Sequence, residues 1–257
     1  MRFSVLGSGS RGNSVYIESG KTAILIDGGF SGKELAKRLH SIDRDLSNIT
    51  AVCVTHEHND HICGVGVISR RYNLPVLANQ GTFGAGEKRL GKLSRRVEFE
   101  TGDLIELQDL TIRSFRISHD TADPVGFVIG DGRVTLGCCT DTGKATRLME
   151  RRLACCNGLV LEFNHNLEML KMGPYPLALQ QRVRSSQGHL SNEDGADFLK
   201  KIVSDRLQMV VLAHLSDTNN TPKLALDAAE RIFSSDISDF ELVVASQERA
   251  TPLMSLI

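Results

Sequence analysis

The chain has 257 residues, with 30 Lys and Arg against 31 Asp and Glu, 41% hydrophobic and 24% charged residues. That balance excludes a disordered, collagen-like or coiled-coil chain, and a net charge of −1 excludes bulk attraction to nucleic acid, so phosphate binding would need a local patch. No apolar run approaches the roughly 18 residues of a membrane span, and the opening Met1–Ser14 lacks an apolar signal core, so the expected location is the cytoplasm with no membrane contact.

In chain order, short β-runs are predicted at Phe3–Leu6, Ser14–Glu18 and Thr22–Ile26, then a helix over Ser31–Leu39 with Ser31 as its N-cap. A strand at Thr50–Val54 follows, then helices at Ile62–Tyr72 and Thr82–Leu93. Strands are predicted at Val97–Glu100, Leu104–Leu107, Leu110–Ile117, Gly126–Ile129 and Val134–Cys138. The remainder alternates: helix Lys144–Ala154, strand Gly158–Phe163, helices Pro176–Ser185 and Asn192–Val203, strand Met209–Ala213, helix Pro222–Phe233, strand Glu241–Ala245. The pattern is meanders early and strand–helix units late, with no linker, and implies an α/β protein of two helix-covered sheets in one four-layer domain over residues 1–257. Cys53, Cys63, Cys138, Cys139, Cys155 and Cys156 include two adjacent pairs and no CxxC; they read as small buried hydrophobes in a reducing compartment. Trp is absent and aromatics are 5% of the chain, which argues against base stacking as the main binding mode.

Of the eight histidines, His40 lies among charged helix neighbours and reads as solvent-facing. The other seven lie at or just beyond predicted strand ends, where α/β proteins place chemistry. The sharpest signal is Thr55-His56-Glu57-His58-Asn59-Asp60-His61, directly after an apolar strand. In extended chain His56 and His58 share a side, and after a turn Asp60 and His61 can face a second point nearby. Imidazoles with a carboxylate suit zinc, manganese or iron.

THEHNDH resembles the signature of metallo-β-lactamase fold hydrolases. Asp27 in Leu25-Ile26-Asp27-Gly28-Gly29, His119 in Ser118-His119-Asp120, Asp141 in Thr140-Asp141-Thr142-Gly143 and His214 in Leu212-Ala213-His214-Leu215-Ser216 continue the resemblance in order. It implies the αββα sandwich and two divalent metal ions, zinc or manganese, with iron possible. His56, His58 and His119 would hold one ion; Asp60, His61 and His214 the other; Asp141 would bridge them. Asp27 would orient a ligand histidine from beneath.

Glu162 in Leu161-Glu162-Phe163-Asn164-His165 and His189 in Gly188-His189-Leu190-Ser191-Asn192 resemble the carboxylate–histidine pair of the ribonuclease Z-related nuclease branch. Together with Gly7–Ser14 these strings are similar to bacterial YycJ/WalJ-type proteins, grouped with DNA-processing exonucleases and lacking a β-CASP insertion, for which this chain has no room. Asn166 stands where that resemblance implies an acidic residue. The implied activity is phosphodiester hydrolysis on nucleic acid, DNA before RNA, from a 5′ end. A hydroxide bridging the ions, oriented by Asp60, would attack phosphorus, and His189, held by Glu162, would protonate the leaving oxygen.

His165 is a candidate pocket residue. Arg182 and Arg184 are candidate phosphate contacts at the pocket rim. Lys88, Arg89, Lys92, Arg95 and Arg96 read first as a solvated face, and Gly7–Ser14 as a tight turn rather than a nucleotide-binding loop. The alternative is a small-molecule hydrolase acting on a thioester, lactone or cyclic phosphodiester with the same metals. A non-catalytic metal scaffold or flavin-linked diiron protein is disfavoured, because the Glu162/His189 pair is present and no flavin domain is.

Overall fold

The computed structural model describes residues 1–233 and 240–257. The first half runs β1 (Arg2–Gly7), β2 (Ser14–Ser19), β3 (Thr22–Ile26), α1 (Gly32–His40), β4 (Ala51–Cys53), α2 (Asn59–Ile62), α3 (Val65–Tyr72), β5 (Pro75–Asn79), α4 (Gln80–Leu90) and β6 (Arg95–Phe99). Then come β7 (Leu104–Leu107), β8 (Leu110–Arg116), β9 (Val125–Gly130), β10 (Thr135–Cys139), α5 (Arg147–Leu153), β11 (Gly158–Glu162), α6 (Leu167–Met172) and α7 (Leu177–Val183). The chain ends with α8 (Asn192–Ile202), β12 (Met209–Ala213), α9 (Pro222–Phe233), β13 (Glu241–Val244) and β14 (Met254–Ser255).

Two seven-stranded sheets result, ordered β14-β1-β2-β3-β4-β5-β6 and β13-β12-β11-β10-β9-β8-β7. Meanders early and strand–helix units late describes each sheet rather than the whole chain. β1-β2-β3 and β7-β8-β9-β10 are antiparallel, while β3-β4-β5-β6 and β10-β11-β12-β13 are parallel. Parallel strands covered on both faces need continuous apolar runs, and the buried Met209-Val210-Val211-Leu212-Ala213 is one.

The sheets share one core, where Phe3, Val5 and Ile24 meet Ile112, Phe127 and Val211. Leu35, Ile68 and Phe83 of α1, α3 and α4 cover the outer face of the first sheet, packing in one cluster with Leu25, Val52 and Val76. Met149, Phe198 and Ala225 of α5, α8 and α9 do the same for the second, against Leu159, Leu161 and Val210. These four layers are the expected αββα sandwich. Ser31 caps α1 by accepting from the Glu34 N–H, and His40 is exposed beside Asp45.

The elements not foreseen are short. β5 opens on Pro75, tolerated only at a strand's first residue, and β14 is two residues paired to β1. α6 is a six-residue helix capped by the Asn166 side chain, which gives that unexpected Asn a structural reason. The expected Ile62–Tyr72 helix is two helices: Gly64 passes so close to Phe30 that a Cβ would lie 2.0 Å from its carbonyl oxygen. The expected Thr82–Leu93 helix stops at Leu90, because Gly91 turns the chain at φ 61°. Cys53, Cys138, Cys139 and Cys156 are buried as expected, but Cys63 and Cys155 are exposed; all six are free. No helix among the described residues is long and apolar enough to cross a membrane.

Gly29 fixes the approach of β3 to the His loop: a Cβ there would sit 1.7 Å from the Asp60 carbonyl oxygen. Gly29→Ala is therefore expected to cost roughly 2–3 kcal/mol, read as a fall of about 4–12 °C in melting temperature.

Candidate metal centre

The site gathers where β3, β4, β10, β11 and β12 end. Asp27, Asp141 and His214 follow β3, β10 and β12, and all three take left-handed backbone, at φ 61°, 60° and 57°. For residues other than glycine this conformation costs about 1–2 kcal/mol each, so the surrounding contacts must enforce it. At His214 one such contact is the Ser8 hydroxyl, which accepts the His214 N–H at 2.9 Å.

Three groups of metal-ligating side chains lie within 4.8 Å, measured between ligand atoms: His56, His58 and His119; Asp60, His61, Asp141 and His214; and Asp141, Glu162, His189 and His214. The rings of the first group form a near-equilateral triangle, with centroids 4.9, 5.0 and 5.1 Å apart. Hydrogen bonds fix which nitrogens face inward. Asp27 accepts from Thr55 N–H and Thr55 Oγ1, both at 2.8 Å, and from His61 Nδ1 at 2.8 Å. With its proton given to Asp27, Thr55 Oγ1 accepts from His56 Nδ1 at 3.0 Å. His119 Nδ1 donates to the Gln187 carbonyl at 3.1 Å. In all three rings the network occupies Nδ1 and turns Nε2 towards the centre.

Among the ligand atoms gathered here, buried His56 Nε2 and Asp141 Oδ2 have no hydrogen-bond partner, the latter 3.4 Å from His61 Nε2. Orphaned buried donors and acceptors are costly, and a divalent cation would satisfy both, so the nitrogen and carboxylate set fits such an ion. Electrostatics agree. Burial would push the His61 imidazole down, but Asp141, Asp27 and Asp60 hold it well above its ordinary value. Burial likewise opposes ionisation of Asp141, yet His214 and His61 hold its carboxyl well below the usual range. Burial and the neighbouring His61 push His56 well down, so it stays neutral.

Glu162 is buried at the end of β11. Its Oε1 accepts from His189 Nδ1 at 2.8 Å and His214 Nδ1 at 3.0 Å; its Oε2 accepts from the N–H groups of Thr142 and Leu190 at 2.9 and 3.2 Å. Although burial raises its pKa, the His189 imidazole leads the groups that bring it to about 2. His189 does not follow a strand; it sits on the loop between α7 and α8.

A cavity of about 230 Å³ opens beside the centre, lined by His58, Asp60, Asp141, His189 and His214 together with Tyr175, Leu179 and Asn219. Arg182 lines it, but its Nε is held by Asp120 at 2.7 Å. Arg184 is exposed and outside the lining, as are Lys88, Arg89, Lys92, Arg95 and Arg96. His165 is also outside it: its ring is 1% exposed, its backbone bridges to Ser191, and burial pushes its imidazole down to about 4.

Sequence reasoning passed over Asn13, Thr55, Ser8 and Asp120. Asn13 Nδ2 donates to Asp60 Oδ2 at 3.2 Å and lies 3.0 Å from His61 Nε2, so the Gly-Ser turn reaches the centre itself. Its position inside Gly7–Ser14 was the available signal.

Residues 7–179 match the family model of the metallo-β-lactamase superfamily. The chain belongs to that superfamily. The match contains Asp27, the His loop, His119, Asp141 and Glu162, while His189 and His214 lie beyond it. Relatives match across most of the chain. Exodeoxyribonuclease WalJ of Streptococcus pneumoniae is 37% identical over 263 residues, covering 99% of this chain and 98% of that protein. Exodeoxyribonuclease YycJ of Bacillus anthracis is 37% identical over 227 residues, covering 88% and 86%. The crystal structure of the metallo-β-lactamase fold protein YhfI from Bacillus subtilis superposes with a TM-score of 0.75 at 17% identity, covering 97% and 98%, which is likeness of fold alone.

Proposed function

We propose that the chain is a dinuclear metal-dependent phosphodiesterase that removes nucleotides from the end of a DNA strand. The observation that carries this is the Glu162–His189 hydrogen bond, 2.8 Å long, at the edge of the clustered metal ligands. The full-length likeness to two proteins named as exodeoxyribonucleases supports DNA over RNA.

In this reading His56, His58 and His119 would hold one ion and Asp60, His61 and His214 the other, with Asp141 available to both. Zinc or manganese bound there would supply Lewis acidity and lower the pKa of water. The protein does the rest. Asp27 and Thr55 set the inward-facing nitrogens of His56 and His61. Asn13 holds Asp60 in place to orient the attacking water. Glu162 stays ionised and fixes His189 through its Nδ1, and His189, which lines the cavity, gives a proton to the departing sugar oxygen. The shared core of the two sheets supports a single domain over residues 1–257 without a β-CASP insertion, and free buried cysteines support a cytoplasmic setting.

The second reading, a small-molecule ester or thioester hydrolase on the same centre, is favoured by one observation: Arg182, the cation lining the cavity, is engaged by Asp120. A gel time course separates the two. Metal-loaded protein with internally and end-labelled single-stranded DNA, duplex DNA and RNA is expected to shorten DNA stepwise from one end. A chelator should stop it and Mn²⁺ restore it. Metal-loaded protein that cuts no polymer but turns over a thioester would overturn the nuclease reading.

A further inference from the structure

Asn219 and Asn220 are adjacent, buried and opposite in their bonding. The Asn220 carboxamide is saturated: its Nδ2 donates to the carbonyls of Phe163 and Asn164 and to Asn192 Oδ1, and its Oδ1 accepts from Asn192 Nδ2 and the Thr221 N–H. The Asn219 side chain makes no hydrogen bond at either Nδ2 or Oδ1, although the residue is 1% exposed. Its backbone is fixed on both sides, its N–H donating to Ser216 Oγ at 3.1 Å and its carbonyl accepting the Asn166 N–H at 2.9 Å. Gly173 packs against it so closely that a Cβ would lie 2.6 Å from Oδ1. Asn219, its carboxamide unpartnered, lines the same cavity as His189 and Asp141.

An unpaired buried amide costs free energy unless a ligand completes it. The ligand must offer a donor to Oδ1 and an acceptor to Nδ2. Phosphate offers only acceptors and would leave Oδ1 facing oxygen. The edge of a nucleobase presents a donor and an acceptor side by side, as in the bidentate pairing of Asn with adenine. That adenine edge stays open in a duplex, but a cavity of about 230 Å³ does not admit a second strand. Tyr175 and Leu179, which also line the cavity, offer an aromatic ring and an apolar surface to the base face.

We propose that Asn219, Tyr175 and Leu179 form a subsite that takes the unpaired base of the terminal nucleotide, read by the Asn219 carboxamide. The proposal rests on the nuclease reading above and adds to it a preference for single-stranded or frayed ends.

The test uses the metal-loaded full chain and single-stranded oligonucleotides whose terminal nucleotides carry a base or are abasic. Wild type, Asn219→Ala and Asn219→Asp are compared by kcat and KM, with metal content and melting temperature as checks of folding. Wild type is expected to favour the base-bearing end by roughly tenfold or more in kcat/KM, carried mainly by KM. In both variants that ratio should fall towards one. Equal turnover of both ends by wild type, or an equal loss on both ends in the variants, overturns the subsite. Should the Asn219 variants not fold, Gly173→Ala, which displaces the carboxamide, must collapse the same ratio; an unchanged ratio overturns the proposal. Wild type that cuts neither oligonucleotide overturns the nuclease reading, and the subsite with it, before any variant is compared.

Discussion

Asp141→Asn is expected to lower turnover of DNA by ~10³-fold or more, with bound metal falling below the wild-type content. Asp141 is the carboxylate shared by two of the ligand groups: its Oδ1 lies 3.1 Å from His214 Nδ1 and 3.9 Å from His119 Nε2, and its Oδ2 3.4 Å from His61 Nε2. Asparagine keeps the volume and removes the charge. The loss of a charge that stabilises metal-centred chemistry by several kcal/mol converts to that factor in rate. The buried His61 imidazole also loses the first of the carboxylates that favour its charged form, so the metal-free variant should melt below the metal-free wild type. Elemental analysis gives the metal content and a single-turnover gel the rate. Wild-type activity with a full metal complement would remove Asp141 from the centre.

What could be read from the chain follows a physical division. Thr55–His61 was legible because ligand type and spacing are local: an apolar strand must end, and the residues just beyond it carry the chemistry. Asp27, His119, Asp141 and His214 are each a lone residue beyond a strand and were legible only through the resemblance to metallo-β-lactamase fold hydrolases. The left-handed backbone at Asp27, Asp141 and His214 was not, because it is imposed by contacts such as the Ser8 hydroxyl on His214 N–H, 206 residues away in sequence. Thr55 and Asn13 were missed for a related reason. A hydroxyl or carboxamide has no signature until its partner is known, and those partners, Asp27 and Asp60, lie 28 and 47 residues off. Arg182 lines the cavity, as its nearness in sequence to His189 suggests, but that nearness gives no sign of Asp120, 62 residues away, which accepts from its Nε. Among the elements, β5 escaped because a strand opening on Pro75 has little alternation to display.

His189→Ala is expected to slow DNA cleavage by roughly 10²- to 10⁴-fold, the range of a lost general acid. It should keep its metals, since Glu162 would still accept from His214 Nδ1 and from the Thr142 and Leu190 N–H groups. Glu162→Gln is the less clean variant: it sets an NH₂ group against N–H donors now facing Glu162 Oε2, or against the histidines now facing Oε1, and disturbs the loop as well as the proton. The decisive comparison is a thymidine phosphodiester with a p-nitrophenyl leaving group, whose phenolate departs without a proton. On it the variant should lose less than about tenfold, because only the step that needs His189 is removed. The third ligand group makes the contrary outcome concrete, since it places His189 within reach of Asp141 and His214. Equal losses on both substrates, with reduced metal, would make His189 a ligand instead of an acid. Glu162 would then be the group that orients it, and protonation of the leaving oxygen would fall to another group lining the cavity.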